Sequence, residues 1–138
     1  MKYRTAIQWA VRVAISASLA VSGVIHADLY IDGYRNIPTV GAAFLFQAST
    51  FCALAVLILV GAPAWLSWIG AVLSVGTLIA FALSRTVGLF GFTESGWDPA
   101  PQAALSAITE GLTVVLVAAA VFLSAKQTNA NAAQGSAK

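Results

Sequence analysis

Residues 41–83 read GAAFLFQASTFCALAVLILVGAPAWLSWIGAVLSVGTLIAFAL, and no charged residue occurs in this stretch. The segment GAPA at 61–64 divides it into two apolar runs, each close to the ~20 residues that a helix needs to cross a bilayer. Because the connecting segment is so short, the two helices are expected to be antiparallel neighbours. The stretch therefore predicts a hairpin of two transmembrane helices.

Two further apolar runs flank this hairpin, so that the predicted spans are about 6–27, 41–60, 65–83 and 102–124. Of the 138 residues, 59% are hydrophobic and only 9% are charged, whereas a typical soluble domain has about 25% charged residues. We therefore predict an all-α membrane protein with a single transmembrane domain, residues 1–124. Its fold is expected to be an antiparallel bundle of four transmembrane helices with a long outer loop between helices 3 and 4.

The distribution of charge predicts the orientation of this bundle. Basic residues near the helix ends collect on the side that holds both termini, namely Lys2, Arg4, Lys126 and Lys138. By the positive-inside rule both termini are expected in the cytoplasm. Arg12 lies inside the first span, from which its long side chain can reach the same surface. Residues 125–138 are small and polar without an apolar period, which predicts a disordered cytoplasmic tail.

Several classes of function are disfavoured by what the chain contains. Cys52 is the only cysteine and His26 the only histidine, so an internal disulfide, a CxxC redox motif and an intrachain bis-histidine haem are excluded. His26 and Asp28 together are too few ligands for a metal site. The net charge of +2 comes without the clustered basic face that nucleic-acid binding needs. We therefore expect no cofactor, no metal and no nucleic-acid partner.

Glu110 is the most informative residue of the sequence. If the fourth helix begins near Gln102, Glu110 lies about 12 Å in from its outer end. An acidic group at such a depth costs roughly 2.5–3.5 kcal/mol on insertion scales, so it is expected to face the bundle and to have a partner. Small and polar residues recur every three or four positions on the same face of each helix, which is typical of interior faces in lipid.

These faces carry four polar side chains of similar depth, which we predict to form one cluster below the outer surface: His26, Gln47, Arg85 and Glu110. The simplest alternative is structural, with Arg85 and Glu110 as an ion pair that joins helices 3 and 4. A role in ligand binding or proton handling is the functional alternative, because an ionisable residue inside a membrane is by default a functional hypothesis.

The loop over residues 84–101 is longer than most connections between helices, and loops of this length usually have a specific role. Its glycines alternate with aromatic and apolar residues. We expect it to fold back onto the mouth of the bundle. It is either a plug, a lid over a lipid-like ligand, or a docking surface for another protein. The candidate contact residues of the two outer loops are Tyr34, Arg35, Phe90, Phe92, Glu94 and Trp97.

Two segments carry a resemblance to a known group. YRNIPTVG at 34–41, followed by FLFQA at 44–48, and SRTVGLFGF at 84–92 with Glu94 and Trp97 resemble small, uncharacterised four-helix integral membrane proteins of actinobacteria. The resemblance covers residues 6–124 and implies a bacterial plasma membrane and a four-span layout. A looser likeness to DoxX-type proteins concerns the span count and a histidine in the first span, and it carries no redox role.

Three functions remain open on the sequence. The favoured one is a non-enzymatic accessory or structural subunit that contacts a larger plasma-membrane complex through helix faces and outer loops. The second is a small homo-oligomeric transporter or channel with Glu110 as its intramembrane carboxylate. The third is the binding of an isoprenoid- or quinone-like lipid at the outer cluster, with Phe44, Phe90 and Phe92 along its tail. No nucleophile–base–orienter set is visible at a fixed spacing, which speaks against an enzyme.

Overall fold

The computed structural model of the chain describes residues 2–135, and the side chains of residues 6–130. This described part is all-helical and contains no β-strand. Its elements are α1 (Lys2–Asp32), a 3₁₀ turn (Tyr34–Asn36), α2 (Val40–Leu59), α3 (Trp65–Ser84) and α4 (Gln102–Gly135). Each α-helix is long and apolar enough to cross a membrane. The predicted number and order of apolar helices are therefore confirmed, and they are compatible with a four-helix bundle.

Prolines mark the start of three of these helices. Pro38 lies two residues before α2, Pro63 two residues before α3, and Pro101 directly before α4. Proline disfavours the helical conformation of the residue before it, and its missing N–H costs nothing in a first helical turn. The helices consequently begin close to the predicted positions.

Two helix ends differ from the prediction. α1 continues to Asp32 instead of ending near residue 27, and α4 continues to Gly135 instead of ending near residue 124. The predicted disordered tail is therefore helical over residues 125–135, and residues 136–138 lie outside the described part. The physical reason is that alanine, lysine and glutamine, which dominate this segment, favour helix without being apolar enough to signal a span.

The packing of the helices is uneven. α1 packs along both α2 and α4, and α3 packs mainly against α4. α2 touches α3 only sparsely, so the expectation that the GAPA turn makes these two helices close neighbours is met weakly. A cluster of buried apolar side chains fills the interior: Ile15, Leu19, Phe51, Leu54, Ala55, Ile58, Ala71 and Val117.

The polar face of each helix turns inward, as predicted. Ser18, Ser22 and His26 on α1 are buried, and so are Glu110 and Thr113 on α4. The outward faces are apolar, as at Leu112, Val115 and Phe122 of α4. Leu116, which is also predicted to face lipid, packs against the buried cluster instead. Contiguous apolar surface along whole helices is unusual for a monomeric soluble protein and is typical of surfaces that contact a membrane or another protein.

Gly23 sets the distance between α1 and α2, and its replacement is a first prediction. A Cβ atom at this position would lie 2.8 Å from Cys52 Sγ and 3.2 Å from the Cys52 backbone nitrogen. We expect Gly23→Ala to lower the free energy of unfolding by about 1–3 kcal/mol, because the helices must move apart. Adding Cys52→Ala removes the closest atom and should restore part of the loss. Unfolding of the purified protein in detergent measures both effects.

Gly76 provides the matched control, because a Cβ atom there meets nothing within 4 Å. Gly76→Ala should leave stability unchanged or raise it by up to about 1 kcal/mol, since alanine favours helix. Equal stabilities of Gly23→Ala and Gly76→Ala would show that α1 and α2 do not approach each other at Gly23.

Candidate functional site

A buried carboxyl group on α4 faces the only histidine of the chain, on α1. Glu110 is 1% exposed and His26 is 5% exposed, and Glu110 Oε1 lies 3.8 Å from His26 Nε2. The hydroxyl groups of Ser22 and Ser106 each donate a hydrogen bond to the same oxygen, at 3.1 Å. No hydrogen bond from a described residue reaches the second carboxyl oxygen, Oε2. Two helices thus bring an acid, a base and two hydroxyl groups together.

The hydrogen bonds of His26 fix the role of each ring nitrogen. Nδ1 lies 2.8 Å from the carbonyl oxygen of Ser22. A carbonyl oxygen can only accept, so Nδ1 carries a proton and donates it. In the neutral ring, Nε2 is then an unprotonated acceptor, and it is the nitrogen that faces Glu110. At 3.8 Å the two groups are slightly too far apart for a direct hydrogen bond, a separation that a water molecule can bridge.

A cavity of about 90 Å³ opens next to this pair, and we call it the loop-side cavity. It is lined by residues of all four helices and of the segments between them, including His26, Tyr34, Phe44, Thr77, Phe81, Ser84, Arg85, Phe92, Glu94, Ser106 and Glu110. A water molecule needs roughly 10–15 Å³ of such space. The loop-side cavity therefore has room for several waters beside polar groups that can hold them.

Aromatic rings form one wall of the loop-side cavity. The ring of Phe44 lies between His26 and Tyr34, with centroid distances of 5.1 Å and 4.5 Å. Phe92 packs edge-on against Tyr34 at 5.8 Å. The wall separates the histidine from the surroundings of the bundle on this side, so that the histidine is reached through the cavity.

Arg85 holds the rim of the loop-side cavity together. Its Nη2 lies 3.0 Å from Glu94 Oε2, and its guanidinium also donates to the carbonyl oxygens of Gly96 and Asp98 at 2.9 Å and 2.6 Å. The same group stacks on the ring of Phe81, 3.6 Å from its centroid. Arg85 therefore anchors the loop that follows α3 to the end of the bundle.

Glu94 completes this anchor from the other side. Its Oε1 accepts a hydrogen bond from the Tyr34 hydroxyl, which links the loop to the 3₁₀ turn. Burial raises the pKa of the Glu94 carboxyl, and the negative charge of Asp98 acts in the same direction. Burial lowers the pKa of the Arg85 guanidinium, whereas Asp98 raises it.

The structure brings together only part of the predicted polar cluster. His26 and Glu110 meet, and Arg85 lines the same cavity. The carboxylate that pairs with Arg85 is Glu94, not Glu110, so the expected ion pair between helices 3 and 4 is wrong. Gln47 is buried but does not line the cavity, and its Nε2 has no hydrogen-bond partner among the described residues.

The predicted loop contact surface also divides into two groups. Tyr34, Phe92 and Glu94 pack inward and line the loop-side cavity. Phe90 and Trp97 remain outside, 72% and 60% exposed, and Arg35 is exposed as well. Phe90 thus does not join Phe44 and Phe92 at the cavity, and the loop is partly packed on the bundle and partly exposed.

Sequence reasoning placed Ser22 and Ser106 on interior faces without assigning them a partner. Their spacing was the available signal, because each lies one helical turn from a polar residue on the same face: His26 and Glu110. The pairing of Tyr34 with Glu94 left no such signal, since both lie in irregular segments.

In the part of the chain that the structure describes, no group of three or more His, Cys, Asp or Glu side chains lies close enough to hold a metal ion. Comparison with known proteins adds no relative: no family model, no curated protein and no solved structure matches the chain.

Proposed function

We propose that the chain is a multi-pass membrane protein, an antiparallel four-helix bundle in a bacterial plasma membrane with both termini in the cytoplasm. Three observations support this arrangement. The 20 residues of α2 and of α3 span about 30 Å, the thickness of the hydrocarbon core. The outward faces are apolar, and the basic residues near the termini leave the acidic ones at the other end. In this orientation the loop-side cavity opens to the outside.

We propose further that the protein takes up a proton from the outside at the pair of Glu110 and His26 and carries it across the membrane, with Glu110 as the intramembrane carboxylate of a small proton transporter. The observation that carries this proposal is a carboxyl group, 1% exposed, whose only ionisable partner among the described residues is a histidine 3.8 Å away. An ionisable residue at this depth is costly unless it is paired or neutralised. If the pair only stabilised the fold, an arginine in place of His26 would be a better partner for Glu110, because arginine keeps its positive charge.

The count of protons on this pair explains how it would work. With one proton shared between Glu110 and His26 the pair is neutral, whichever group carries it. Without a proton the pair has one negative charge, and with two it has one positive charge, and both charged forms are disfavoured in an apolar interior. Water in the loop-side cavity supplies or removes the proton, while the hydroxyl groups of Ser22 and Ser106 stabilise the ionised carboxylate.

The interior below the pair is closed in this arrangement. Leu19 and Phe51 are fully buried, and Val117 is nearly so, and these residues belong to the apolar cluster. Release of the proton to the cytoplasm therefore requires the helices to rearrange, which is the behaviour of a transporter and not that of an open pore. The sparse contact between α2 and α3 offers the seam at which the bundle can open.

Proton flux tests this function directly. Purified protein is reconstituted in vesicles that contain a pH-sensitive dye, and a pH gradient is imposed. We expect Glu110→Gln to reduce the decay of the gradient to the leak of protein-free vesicles, because glutamine keeps the shape but cannot release a proton. Asp28→Asn, at an exposed position of α1, is the matched control and should decay like the unmodified protein.

A second measurement distinguishes proton binding at Glu110 from proton transport across the membrane. Hydrophobic carbodiimides attach to protonated carboxyl groups in apolar surroundings, and mass spectrometry locates the label. Labelling of Glu110 without any flux would mean that the pair binds a proton but does not transport it. Absence of both labelling and flux would overturn the proposal, and so would a Glu110→Gln variant that conducts as fast as the unmodified protein.

The accessory-subunit function keeps one specific observation in its favour. Phe90 and Trp97 expose most of their rings from the loop, and exposed aromatic groups are typical of protein interfaces. Gentle extraction from the native membrane, followed by mass spectrometry of co-purifying proteins, tests it: a stoichiometric larger partner would favour this function. The quinone- or isoprenoid-binding alternative loses support, because about 90 Å³ is well below the roughly 300–1,000 Å³ of ligand pockets.

A further inference from the structure

A second, larger cavity lies at the end of the bundle that holds the termini, and we call it the termini-side cavity. Its volume is about 540 Å³, which is within the roughly 300–1,000 Å³ range of pockets that hold small molecules. It is bounded by α1, the GAPA turn, the start of α3 and α4. The proposed proton site, which lines the loop-side cavity, makes no use of it.

Arg12 is the only charged residue among the described residues that line this cavity. Its Nη1 donates to the carbonyl oxygen of Ile58 at 3.3 Å, and its Nη2 donates to that of Ala62 at 3.1 Å. These acceptors are neutral, so the positive charge is not cancelled. A guanidinium also has more N–H donors than these two bonds use, and the remaining ones are free for an anion.

The chain supplies no side-chain carboxylate to neutralise Arg12. Every acidic residue lies elsewhere in the sequence, at Asp28, Asp32, Glu94, Asp98 and Glu110. Glu110 is the acidic residue of α4, and it lines the loop-side cavity instead. No acidic side chain lines this cavity among the described residues, and Arg12 is in neither of the ion pairs that the described residues form, so an anion bound at Arg12 would come from outside the chain.

The walls of the termini-side cavity are divided between polar and apolar groups. Gln8 and Gln127 lie on the polar side, where the amide of Gln8 donates to that of Gln127 at 3.4 Å. Val11, Ile15 and Ala120 supply apolar lining groups, and Ile15 lies about one helical turn farther from the terminus than Arg12. A ligand that fits both sides has a compact anionic, hydrogen-bonding head and a hydrocarbon tail.

We propose that the termini-side cavity binds one anionic phospholipid of the cytoplasmic leaflet. Its phosphate contacts the free N–H groups of Arg12, its polar head hydrogen-bonds to Gln8 and Gln127, which lie on the terminus side of Arg12, and its acyl chains extend past Ile15 toward the bilayer centre. Arginine matches the geometry of phosphate oxygens, and basic pockets between transmembrane helices on the cytoplasmic side bind such head groups. The proposal rests on the proposed insertion into a membrane and not on proton uptake.

Native mass spectrometry of the full chain in detergent tests this binding. The protein is mixed with equal amounts of phosphatidylglycerol and phosphatidylcholine, and the lipid-bound peaks are compared. We expect one phosphatidylglycerol per chain to be retained preferentially. Arg12→Gln should reduce that preference about fivefold, which corresponds to one basic group near a membrane surface. Arg35→Gln, which removes an exposed arginine at the other end, should leave it unchanged.

A second variant keeps the test decisive if Arg12→Gln unfolds. Ser124 lines the cavity, and Ser124→Leu fills part of it without touching the charge, so the bound lipid should again be lost. Inorganic phosphate at millimolar concentration should not displace the lipid, because the apolar side contributes to binding; displacement would show that the site selects a free phosphate instead. Equal retention of the two lipids, or retention unchanged in Ser124→Leu, would refute the proposal.

Discussion

Replacement of Arg85 by alanine is expected to release the loop of residues 86–101 from the bundle and to lower the free energy of unfolding by about 3 kcal/mol. The reason is that this side chain makes the ion pair to Glu94 and the hydrogen bonds to Gly96 and Asp98, whereas the Tyr34–Glu94 hydrogen bond is the remaining side-chain link described at the rim. Its loss leaves the Glu94 carboxylate, 16% exposed, without its cation, and the carbonyl oxygens of Gly96 and Asp98 without a donor. Unfolding in detergent measures the loss of stability, and hydrogen exchange of the loop amides measures the release of the loop.

Two further variants show whether the geometry of Arg85 matters. Arg85→Lys keeps the charge but not the planar fork that reaches Glu94, Gly96 and Asp98 together, so it should restore only part of the stability. Arg35→Ala, at an exposed position, should cost less than about 0.5 kcal/mol. Slow hydrogen exchange of the loop in Arg85→Ala would mean that apolar contacts of the loop suffice to hold it.

Gly41→Ala is expected to have the second large effect, because Gly41 packs directly on the backbone of the 3₁₀ turn. A Cβ atom at Gly41 would lie 2.7 Å from the carbonyl oxygen of Tyr34 and 2.9 Å from Arg35 Cα. Backbone atoms cannot rotate away as a flexible side chain can, so the turn must shift. We expect a loss of about 1–3 kcal/mol, with Tyr34 moved from its place against Phe44 and Glu94.

The measurement compares Gly41→Ala with Gly76→Ala by thermal unfolding in detergent. A movement of Tyr34 should also change the near-ultraviolet circular dichroism of the protein, because this ring is packed between other aromatic rings. Identical melting temperatures and spectra for the two variants would contradict the close approach of α2 to the turn.

The helices could be predicted from the sequence because each one contains a long run of apolar residues. An uncharged stretch such as residues 41–83 has few alternatives to crossing a bilayer, and prolines mark where the helices begin. The periodicity of small and polar residues likewise predicted the buried faces, and the matched depths of His26 and Glu110 placed them in one site. These signals are local or depend only on the rise of a helix.

What the sequence could not provide was the conformation of the loop and the position of the open space inside the bundle. Glu94 reaches Arg85 because the chain folds back through positive-φ glycines at 88, 91 and 96, and such a path leaves no periodic pattern. Gln47 is buried on α2, as its position on the interior face predicts, but it does not line the loop-side cavity. Depth and face predict which polar groups are buried, but they do not predict which of these groups border a cavity.

The length of α4 has a consequence for the proposed arrangement in the membrane. Its 34 residues extend about 50 Å, whereas the hydrocarbon core is about 30 Å thick. If the helix enters the membrane near Gln102, its last turns stand as a rod about 20 Å beyond the acyl chains, past the level of the lipid phosphates. A fluorophore attached at position 135 would therefore be held in water at a fixed height above the inner surface, and its energy transfer to labelled lipids would report that height.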